Sequence, residues 1–269
     1  MVGKVAVIGA GVIGGAIVKC LQECEQVGSV VATRRSLEGL KPLKELGAEV
    51  TTDNVHAARE GEVVFVCVKP IDVGGVLKEI GEAIKGKLVI STAAIIPLSF
   101  YGSAVPGARF IRTMPNIAAL AGESFTAYTC GEKVTREDRE TAKVLFDSMG
   151  GHMEVEERYM DAITGLSGSG PAYVAIVIDA LMYAGLKVGL PRDLSMSSAA
   201  QSVLGTAKLI LDGTLTPAAI EEMVTTPGGT TIDGIYEIED GKLRTALMNA
   251  VEAATKKSAN MRYKWENSK

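Results

Sequence analysis

A glycine-rich turn near the start of the chain constrains the fold more than any other feature. Gly9, Gly11 and Gly14 form the sequence GAGVIG, which directly follows the apolar run KVAVI and precedes a helical pattern. In this strand–turn–helix context, glycines permit a tight turn and let the backbone approach a pyrophosphate at the helix N-terminus. A merely structural turn is the alternative. We expect a dinucleotide-binding βαβ unit.

Short apolar runs alternate with amphipathic segments as far as about residue 156. The apolar runs are KVAVIG, SVVATR, EVVFVCV, KLVIST and RFIRT, with helical patterns from about 12, at 37–46 and at 73–84. Two later runs, SFTAYTC and HMEVEE, flank a helical pattern at 136–148 and are expected to extend the sheet. This alternation predicts a Rossmann-type, doubly wound, mainly parallel sheet.

The rest of the chain shows helical patterns and no strand pattern. Pro171, Pro191 and the pair Thr216-Pro217 mark the starts of three helices, and a long amphipathic helix is expected at 243–265. We therefore predict an α/β domain over residues 1–160, followed by an all-α domain over residues 161–269.

The first of these helices is apolar nearly all round, in the segment GLSGSGPAYVAIVIDALMYAGLKVGLP. Its length would suit a membrane span, but it contains Asp179 and Lys187, and the chain has no second segment of this kind. A helix of this type is more simply buried in a protein core or a subunit interface. We expect no membrane association.

Composition narrows the range of partners. The formal charge is −4 with Lys and Arg dispersed along 269 residues, which gives no footprint for nucleic acid. Four cysteines without a C-x-x-C pair are expected to be free thiols, and two histidines offer little for a metal site, so we expect no metal. The start, MVGKVAVIGAG, looks like a first strand rather than a signal peptide, so we expect a cytoplasmic protein.

The residues after the second apolar run indicate the cofactor. Enzymes that bind NAD usually place Asp or Glu there to hold the ribose 2′-hydroxyl, whereas this chain reads ATRRS, with Arg34 and Arg35. Two guanidinium groups suit a 2′-phosphate, so NADPH is favoured and NADH is less favoured. Arginines that simply face solvent are the alternative.

With Gly165, Gly168 and Gly170 in its small-residue turn at 165–170, the chain resembles a superfamily of two-domain dehydrogenases, two branches of which differ in this turn. In hydroxyacid dehydrogenases the turn reads G-x-x-G-x-G-x-x-x-K-x-x-x-N, with Lys as the proton donor or acceptor. This chain has the three glycines but carries Val174 and Ile178 in the Lys and Asn positions. The carbinol chemistry is therefore not expected.

Over nearly its full length the chain instead resembles the pyrroline-5-carboxylate reductase family. The motifs that carry the resemblance are VIGAGVIGGAI, VKP at 68–70, MPN at 114–116, LSGSGPAYV, GLPRDL, TPGGTT and ALMNAVEAA. The resemblance implies that hydride from NADPH reduces the cyclic imine 1-pyrroline-5-carboxylate at C5 to L-proline. A protonated imine is already electrophilic and gives a stable amine, which is consistent with the missing lysine.

The resemblance also implies a substrate site in the loop between two helices. Thr226 and the backbone of Gly228, Gly229 and Thr230 would hold the carboxylate, and Thr231 would bind the ring nitrogen as the one catalytic residue. Glycines there expose backbone N–H groups at a helix start, which suits an anion. A plain capping turn is the alternative interpretation of the motif alone.

Cofactor contacts are expected along the carboxyl edge of the sheet. The expected residues are Gly9, Gly11, Val12, Ile13, Gly14, Arg34, Arg35, Ser36, Asn54, Val68, Lys69, Pro70, Ala93, Ala94 and Asn116. Lys69 is expected at most to position the cofactor loop, and a structurally neutral residue is the alternative. The chain departs from the common family pattern at three places. It has Thr226 where family members commonly have Ser, Ile95 where they have Gly, and Ile117-Ala118 where they have Thr-Pro. Ile95 puts the local geometry near the nicotinamide in question.

The family resemblance implies a homodimer interleaved through the α-domains, with further assembly into rings left open. Two rival functions remain at this stage. One is a related NADP-dependent imine or hydroxyacid reductase with another small substrate, and the other is a catalytically idle NADP-binding regulator.

Overall fold

The computed structural model describes residues 1–267, and its first part is an eight-stranded sheet. The strands are β1 (Val2–Ile8), β2 (Val27–Thr33), β3 (Glu49–Thr51), β4 (Val63–Val66), β5 (Leu88–Ser91), β6 (Arg109–Met114), β7 (Ser124–Cys130) and β8 (Gly150–Glu154). Their order is β3-β2-β1-β4-β5-β6-β7-β8. Strands β1 to β6 are parallel, β7 is antiparallel to β6, and β8 is parallel to β7. The predicted fold class is confirmed.

Seven helices accompany the sheet. They are α1 (Val12–Gln22), α2 (Lys41–Glu45), α3 (Asn54–Glu60), α4 (Pro70–Ile80), α5 (Leu98–Ala104), α6 (Arg136–Asp147) and α7 (Met160–Ile163). Single-turn 3₁₀ helices lie at Glu38–Leu40, Ile117–Ala121 and Glu157–Tyr159, and a π-helical turn at Thr164–Gly168.

Alternation of side chains along the strands divides the core in two. Val5 and Val7 of β1 belong to a buried cluster with residues of α1 and α6, whereas Ala6 and Ile8 belong to a second cluster with residues of α3, α4 and α5. Because successive side chains of a strand point to opposite faces, both faces of this sheet are covered. The strands therefore read as nearly continuous apolar runs.

The remaining helices follow without a strand in the described part of the chain. They are α8 (Gly170–Lys187), α9 (Arg192–Leu211), α10 (Pro217–Val224), α11 (Thr230–Asp240) and α12 (Leu243–Glu266). Thr216 caps α10 as predicted, since its hydroxyl accepts the Ala219 N–H at 3.2 Å. Pro191 stands at the N-cap of α9, one residue before the expected first-turn position.

The chain forms two compact units, residues 1–169 with 252–269, and residues 170–251. The second half of α12 thus belongs with the sheet, where Trp265 packs edge-on against Phe100 at 4.7 Å between ring centroids. Arg262 Nε also donates to Asp161 at 2.9 Å. The sequence predicts that cofactor binding belongs to residues 1–160, and substrate binding and dimerisation to residues 161–269. That division stays a prediction.

Helix α8 leaves most of its apolar surface uncovered by the chain itself. Ile176 is 69% exposed and Tyr183 is 55% exposed, while Met182 is the one side chain of this helix that is buried. The stretch 157–187 is the single helix in the described residues that could cross a membrane by length and composition alone. A helix at a subunit interface has the same character.

Candidate active site

The glycine-rich turn lies between the end of β1 and the start of α1. Gly9 has φ 91°, a conformation that side chains disfavour, and a Cβ there would stand 2.6 Å from Val68 Cγ1. A Cβ on Gly14 would meet the Gly9 carbonyl oxygen at 2.5 Å, which explains the close packing of α1 on the turn. At Gly11, the N-cap of α1, a Cβ would meet only open space. That space lies over the helix N-terminus, where a pyrophosphate fits.

A crevice of about 490 Å³ opens beside this turn, at the carboxyl edge of the sheet. It lies at the point where the strand order reverses between β1 and β4, the usual place of ligands in open α/β sheets. The predicted cofactor residues that line it are Gly9, Gly11, Arg34, Arg35, Ser36, Asn54, Val68 and Lys69. Thr33, Thr52, Cys67, Asp72 and Val76 also line it and were not predicted.

The other predicted cofactor residues lie outside that crevice lining. Val12, Ile13 and Gly14 belong to the start of α1, and Pro70 is the first residue of α4. Ala93 and Ala94 follow β5, and Asn116 follows β6. All of them stand close to the carboxyl ends of the parallel strands, the edge on which dinucleotides bind.

A polar chain connects the glycine turn to α4. The Thr33 hydroxyl accepts the Gly9 N–H at 3.3 Å and donates to Asn54 Oδ1 at 2.7 Å. Asn54 Nδ2 in turn donates to Glu79 Oε2 at 3.0 Å. The amide of Asn54 is therefore held in one orientation at the wall of the crevice.

The two arginines leave β2 on different courses. Arg34 Nη1 donates to the Gly39 carbonyl at 3.2 Å, so its side chain follows its own loop. Arg35 Nη2 donates to Asp72 Oδ2 at 2.8 Å, across the crevice in the first turn of α4. Both arginines line the crevice and follow β2, where a Rossmann fold holds the adenosine ribose.

Cys67 lies at the end of β4, at the bottom of the crevice. Burial raises the pKa of its thiol to about 12, so the group is neutral at physiological pH. A neutral buried thiol is neither a good nucleophile nor a metal ligand. All four cysteines are free, and residues 1–267 contain no cluster of three or more His, Cys, Asp and Glu that could hold a metal ion.

Asn116 of the MPN motif is engaged within the protein. Its Oδ1 accepts the Ala118 N–H at 3.0 Å, and its Nδ2 donates to the Ser167 carbonyl at 3.1 Å. The side chain thus ties the end of β6 to the small-residue turn 165–170. Ala118, where the family pattern has Pro, supplies an N–H for this cap that Pro would lack.

Ile95 occupies the loop between β5 and α5 with φ 64°, the left-handed region. Its side chain is 7% exposed and belongs to the buried cluster beneath α4 and α5. The loop therefore keeps a backbone geometry that suits glycine, even though this chain places a β-branched residue there.

The loop between α10 and α11 forms a tight turn followed by a helix N-terminus. The Gly229 N–H donates to the Thr226 carbonyl at 3.0 Å, with Pro227 and Gly228 (φ 68°) between them, the residue pattern of a type II turn. Gly229 is the N-cap of α11 and no side chain caps the helix. A Cβ at Gly229 would collide with Thr226 Oγ1, so the hydroxyl lies directly against this N-cap.

The geometry of this loop suits a carboxylate. Thr230 and Thr231 are the first two residues of α11, where N–H groups have no partner within the helix. The helix dipole also favours negative charge at that end. The TPGGTT motif thus forms an uncapped helix start rather than a turn closed by its own side chains.

A second crevice, of about 520 Å³, lies between α5 and the ends of β6 and β7. Ser99, Phe110, Lys133 and Glu157 are among its lining residues. It has no glycine-rich turn, and it lies at the start of β6, away from the carboxyl ends of the parallel strands β1 to β6. The crevice beside Gly9 is therefore the candidate cofactor site.

Comparisons with known proteins agree with this arrangement. A family model for pyrroline-5-carboxylate reductase dimerisation matches residues 157–261, and a model described as NADP oxidoreductase coenzyme F420-dependent matches residues 4–95. A pyrroline-5-carboxylate reductase of Methanosarcina acetivorans is 38% identical over 265 residues, which is 96% of this chain and 97% of the relative. One from Glycine max is 43% identical over 219 residues, 81% of this chain and 80% of the relative.

Solved structures agree as well. A Plasmodium falciparum pyrroline carboxylate reductase with NADP bound aligns with a TM-score of 0.87 at 28% identity, and covers 96% of this chain and 98% of that chain. A Coxiella burnetii pyrroline-5-carboxylate reductase aligns with a TM-score of 0.87 at 29% identity, and covers 95% and 97%. The chain therefore belongs to the pyrroline-5-carboxylate reductase family.

Proposed function

We propose that the chain reduces 1-pyrroline-5-carboxylate to L-proline with NADPH, the last step of proline biosynthesis. The observation that carries the proposal is the intact Thr226–Thr231 corner in a chain of this family. Val174 and Ile178 stand where the hydroxyacid branch has its Lys and Asn, which supports an imine rather than a hydroxyacid as substrate.

The glycine turn and the N-terminus of α1 bind the pyrophosphate of the cofactor in this proposal. The open space at Gly11 supports that role. Arg34, Arg35 and Ser36 bind the 2′-phosphate, and Asn54 binds the adenosine half. Val68, Lys69 and Pro70 line the nucleotide path, and Ala93, Ala94 and Asn116 stand by the nicotinamide half.

The substrate carboxylate binds at the N-terminus of α11. The hydroxyl of Thr226 and the backbone N–H groups of Gly229 and Thr230 donate to its oxygens, and Gly228 provides the turn that exposes them. Thr231 orients the ring nitrogen. The uncapped helix start supports this assignment, because a bound anion would satisfy those donors.

The reaction requires little from the protein beyond orientation of the substrate relative to the cofactor. NADPH supplies a hydride to C5 when it is bound. A protonated imine accepts that hydride and leaves a neutral secondary amine, so no side chain needs to deliver a proton to carbon or oxygen. The residues of the site contribute by holding the carboxylate, orienting the ring and excluding water.

The chain works as a homo-oligomer, and we propose a homodimer built on the helices after residue 169. The exposed apolar surface of α8 supports a second copy as its cover rather than lipid, since Asp179 and Lys187 interrupt the helix. Four free cysteines suit the reducing cytoplasm, where we propose the enzyme acts. No nucleic-acid partner is proposed.

The test is NADPH oxidation with purified protein. We expect rapid oxidation with 1-pyrroline-5-carboxylate and much slower oxidation with pyrroline-2-carboxylate and with small keto acids. Activity confined to pyrroline-2-carboxylate or a keto acid would favour a related reductase. NADPH binding without turnover of any of these compounds would favour an idle NADP-binding regulator.

A further inference from the structure

The adenosine end of the cofactor crevice contains a carboxylate that the sequence did not reveal. Asp72 belongs to the first turn of α4 and lines the same crevice as Arg34, Arg35 and Ser36. Its side chain is 33% exposed, so it is accessible to a ligand in the crevice. The acid that NAD-binding enzymes place after β2 is absent here, but an acid reaches the same region from the opposite wall.

Arg35, after β2 on one wall of the crevice, and Asp72, in α4 on the other, form an ion pair. Arg35 Nη2 stands 2.8 Å from Asp72 Oδ2, while the Arg35 side chain is otherwise 87% exposed. Ion pairs of this exposed kind are weak and exchange readily with other partners. A phosphate that binds Arg35 would therefore have to displace Asp72 from it.

A 2′-phosphate and a 2′-hydroxyl would meet Asp72 with opposite results. A phosphate carries close to two negative charges, so the nearby carboxylate repels it and competes with it for Arg35. A ribose hydroxyl is a donor, so the carboxylate can accept its hydrogen bond while the pair with Arg35 stays intact.

We propose that Asp72 is a specificity-determining residue that lowers the preference for NADPH and keeps NADH usable. The proposal rests on the proposed role of Arg35 at the 2′-phosphate. The other charged groups lining this crevice are Arg34 and Lys69, both cations, so Asp72 is its one anion among the described lining residues. Removing it should therefore act mainly on the charged cofactor.

The experiment measures cofactor binding by titration calorimetry, without substrate. For Asp72→Asn we expect NADP⁺ to bind about 3- to 10-fold more tightly, as befits partly exposed charges, with NAD⁺ unchanged or weaker. The gain should shrink at high salt. The matched control is Glu82→Gln, which removes an exposed, Lys85-paired carboxylate just beyond the other end of α4 and should change neither affinity.

Arg35→Gln separates this inference from the cofactor assignment itself. If Asp72 acts through Arg35, the effect of Asp72→Asn should be smaller in the Arg35→Gln background. An unchanged NADP⁺ to NAD⁺ affinity ratio in Asp72→Asn, with Arg35→Gln still weakening NADP⁺, would overturn the inference alone. If Arg35→Gln left NADP⁺ binding unchanged, the role of Arg35 and the inference would both fail.

Discussion

Ile95 adopts φ 64° although its side chain is β-branched and buried. A left-handed conformation costs an L-residue about 1–2 kcal/mol, whereas glycine adopts it freely. The buried side chain offsets that cost through its contacts in the cluster under α5. Backbone strain and side-chain packing therefore have opposite effects of similar size on stability at this residue.

We predict that the usual order of alanine and glycine is inverted at position 95. Ile95→Gly loses the side chain but relieves the strain, whereas Ile95→Ala loses most of the side chain and keeps the strain, so Gly should be the more stable by about 1 kcal/mol. Urea unfolding of both variants measures the difference. Ile96, which is buried in the same cluster and has no positive φ, is the control. At position 96 the alanine variant should be more stable than the glycine variant. An alanine variant at 95 as stable as the glycine variant would mean that the backbone is unstrained.

Thr231 carries the proposed contact with the ring nitrogen. We expect Thr231→Ala to lower kcat roughly 10- to 1000-fold, the usual effect of losing one positioned hydrogen bond at a reacting group. Substrate affinity should suffer less, because the backbone N–H groups at the start of α11 still bind the carboxylate. Thr231→Ser keeps the hydroxyl and serves as the control in steady-state kinetics. Unchanged turnover of the alanine variant would remove Thr231 from the mechanism.

At the scale of elements, α6 is anchored by one carboxylate, that of Asp138, which accepts three hydrogen bonds. Asp138 Oδ2 accepts the Thr135 N–H at 2.9 Å, which completes a capping box with the Thr135 hydroxyl. The same carboxylate binds Arg109 of β6 with both oxygens, at 2.6 and 2.9 Å. Burial opposes ionisation, but the bonds from Arg109 and Thr135 prevail and hold the pKa of Asp138 below its ordinary value.

We predict that this carboxylate stabilises the fold at neutral pH and less in acid. Because its folded pKa is lower than its unfolded one, its contribution is complete above the unfolded pKa, about 4, and is lost as pH falls through the folded pKa. Asp138→Asn should destabilise by about 2 kcal/mol at pH 7, and the gap to the wild type should narrow below pH 4. Glu140→Gln, an exposed carboxylate of the same helix, should show neither effect. A gap that stays constant with pH would exclude the charge as its source.

The sequence predicted elements best where an apolar run or an amphipathic period was well marked. The strands at the centre of the sheet, α6 and α12 were found within a few residues, since their patterns need no tertiary information. Strand β3 has three residues and α5 contains Ser, Gly and two aromatics, so neither has a pattern of its own, and both were missed. The helix expected at 73–84 begins earlier, at Pro70, which takes its first position.

Site residues were predictable where backbone chemistry fixes the residue type. The glycines of the turn and the arginines after β2 follow from motif and position, and the structure places them at the crevice, while their binding roles stay predictions. Asp72 and Thr33 reach the crevice only because the sheet brings α4 and β2 beside β1, which no local pattern encodes. The buried Arg112 was missed for the same reason, since its ion pair with Glu157 at 2.9 Å joins residues far apart in sequence.

At the scale of the whole molecule, the exposed apolar side chains of α8 are the feature that a single chain does not explain. Ile176 and Tyr183, two turns apart on the same side of α8, are 69% and 55% exposed in a single chain, although water-soluble monomers rarely expose contiguous apolar surface. Obligate dimer interfaces are large and apolar. A second copy of the chain that covers α8 would therefore explain the apolar side chains that are exposed in a monomer.

We predict that the wild type sediments as a dimer of the 28.2 kDa chain, or as a multiple of that dimer, at micromolar concentration. Ile176→Glu places a charge on the exposed face of α8 and should shift the protein toward monomer, with lower stability, because burying an unpaired carboxylate is costly. Ile71→Glu makes the same change at an 87% exposed isoleucine of α4 and should leave the oligomeric state unchanged. Analytical ultracentrifugation distinguishes the two variants. A folded, active wild-type monomer would contradict the dimer, and an unchanged Ile176→Glu dimer would move the interface away from α8.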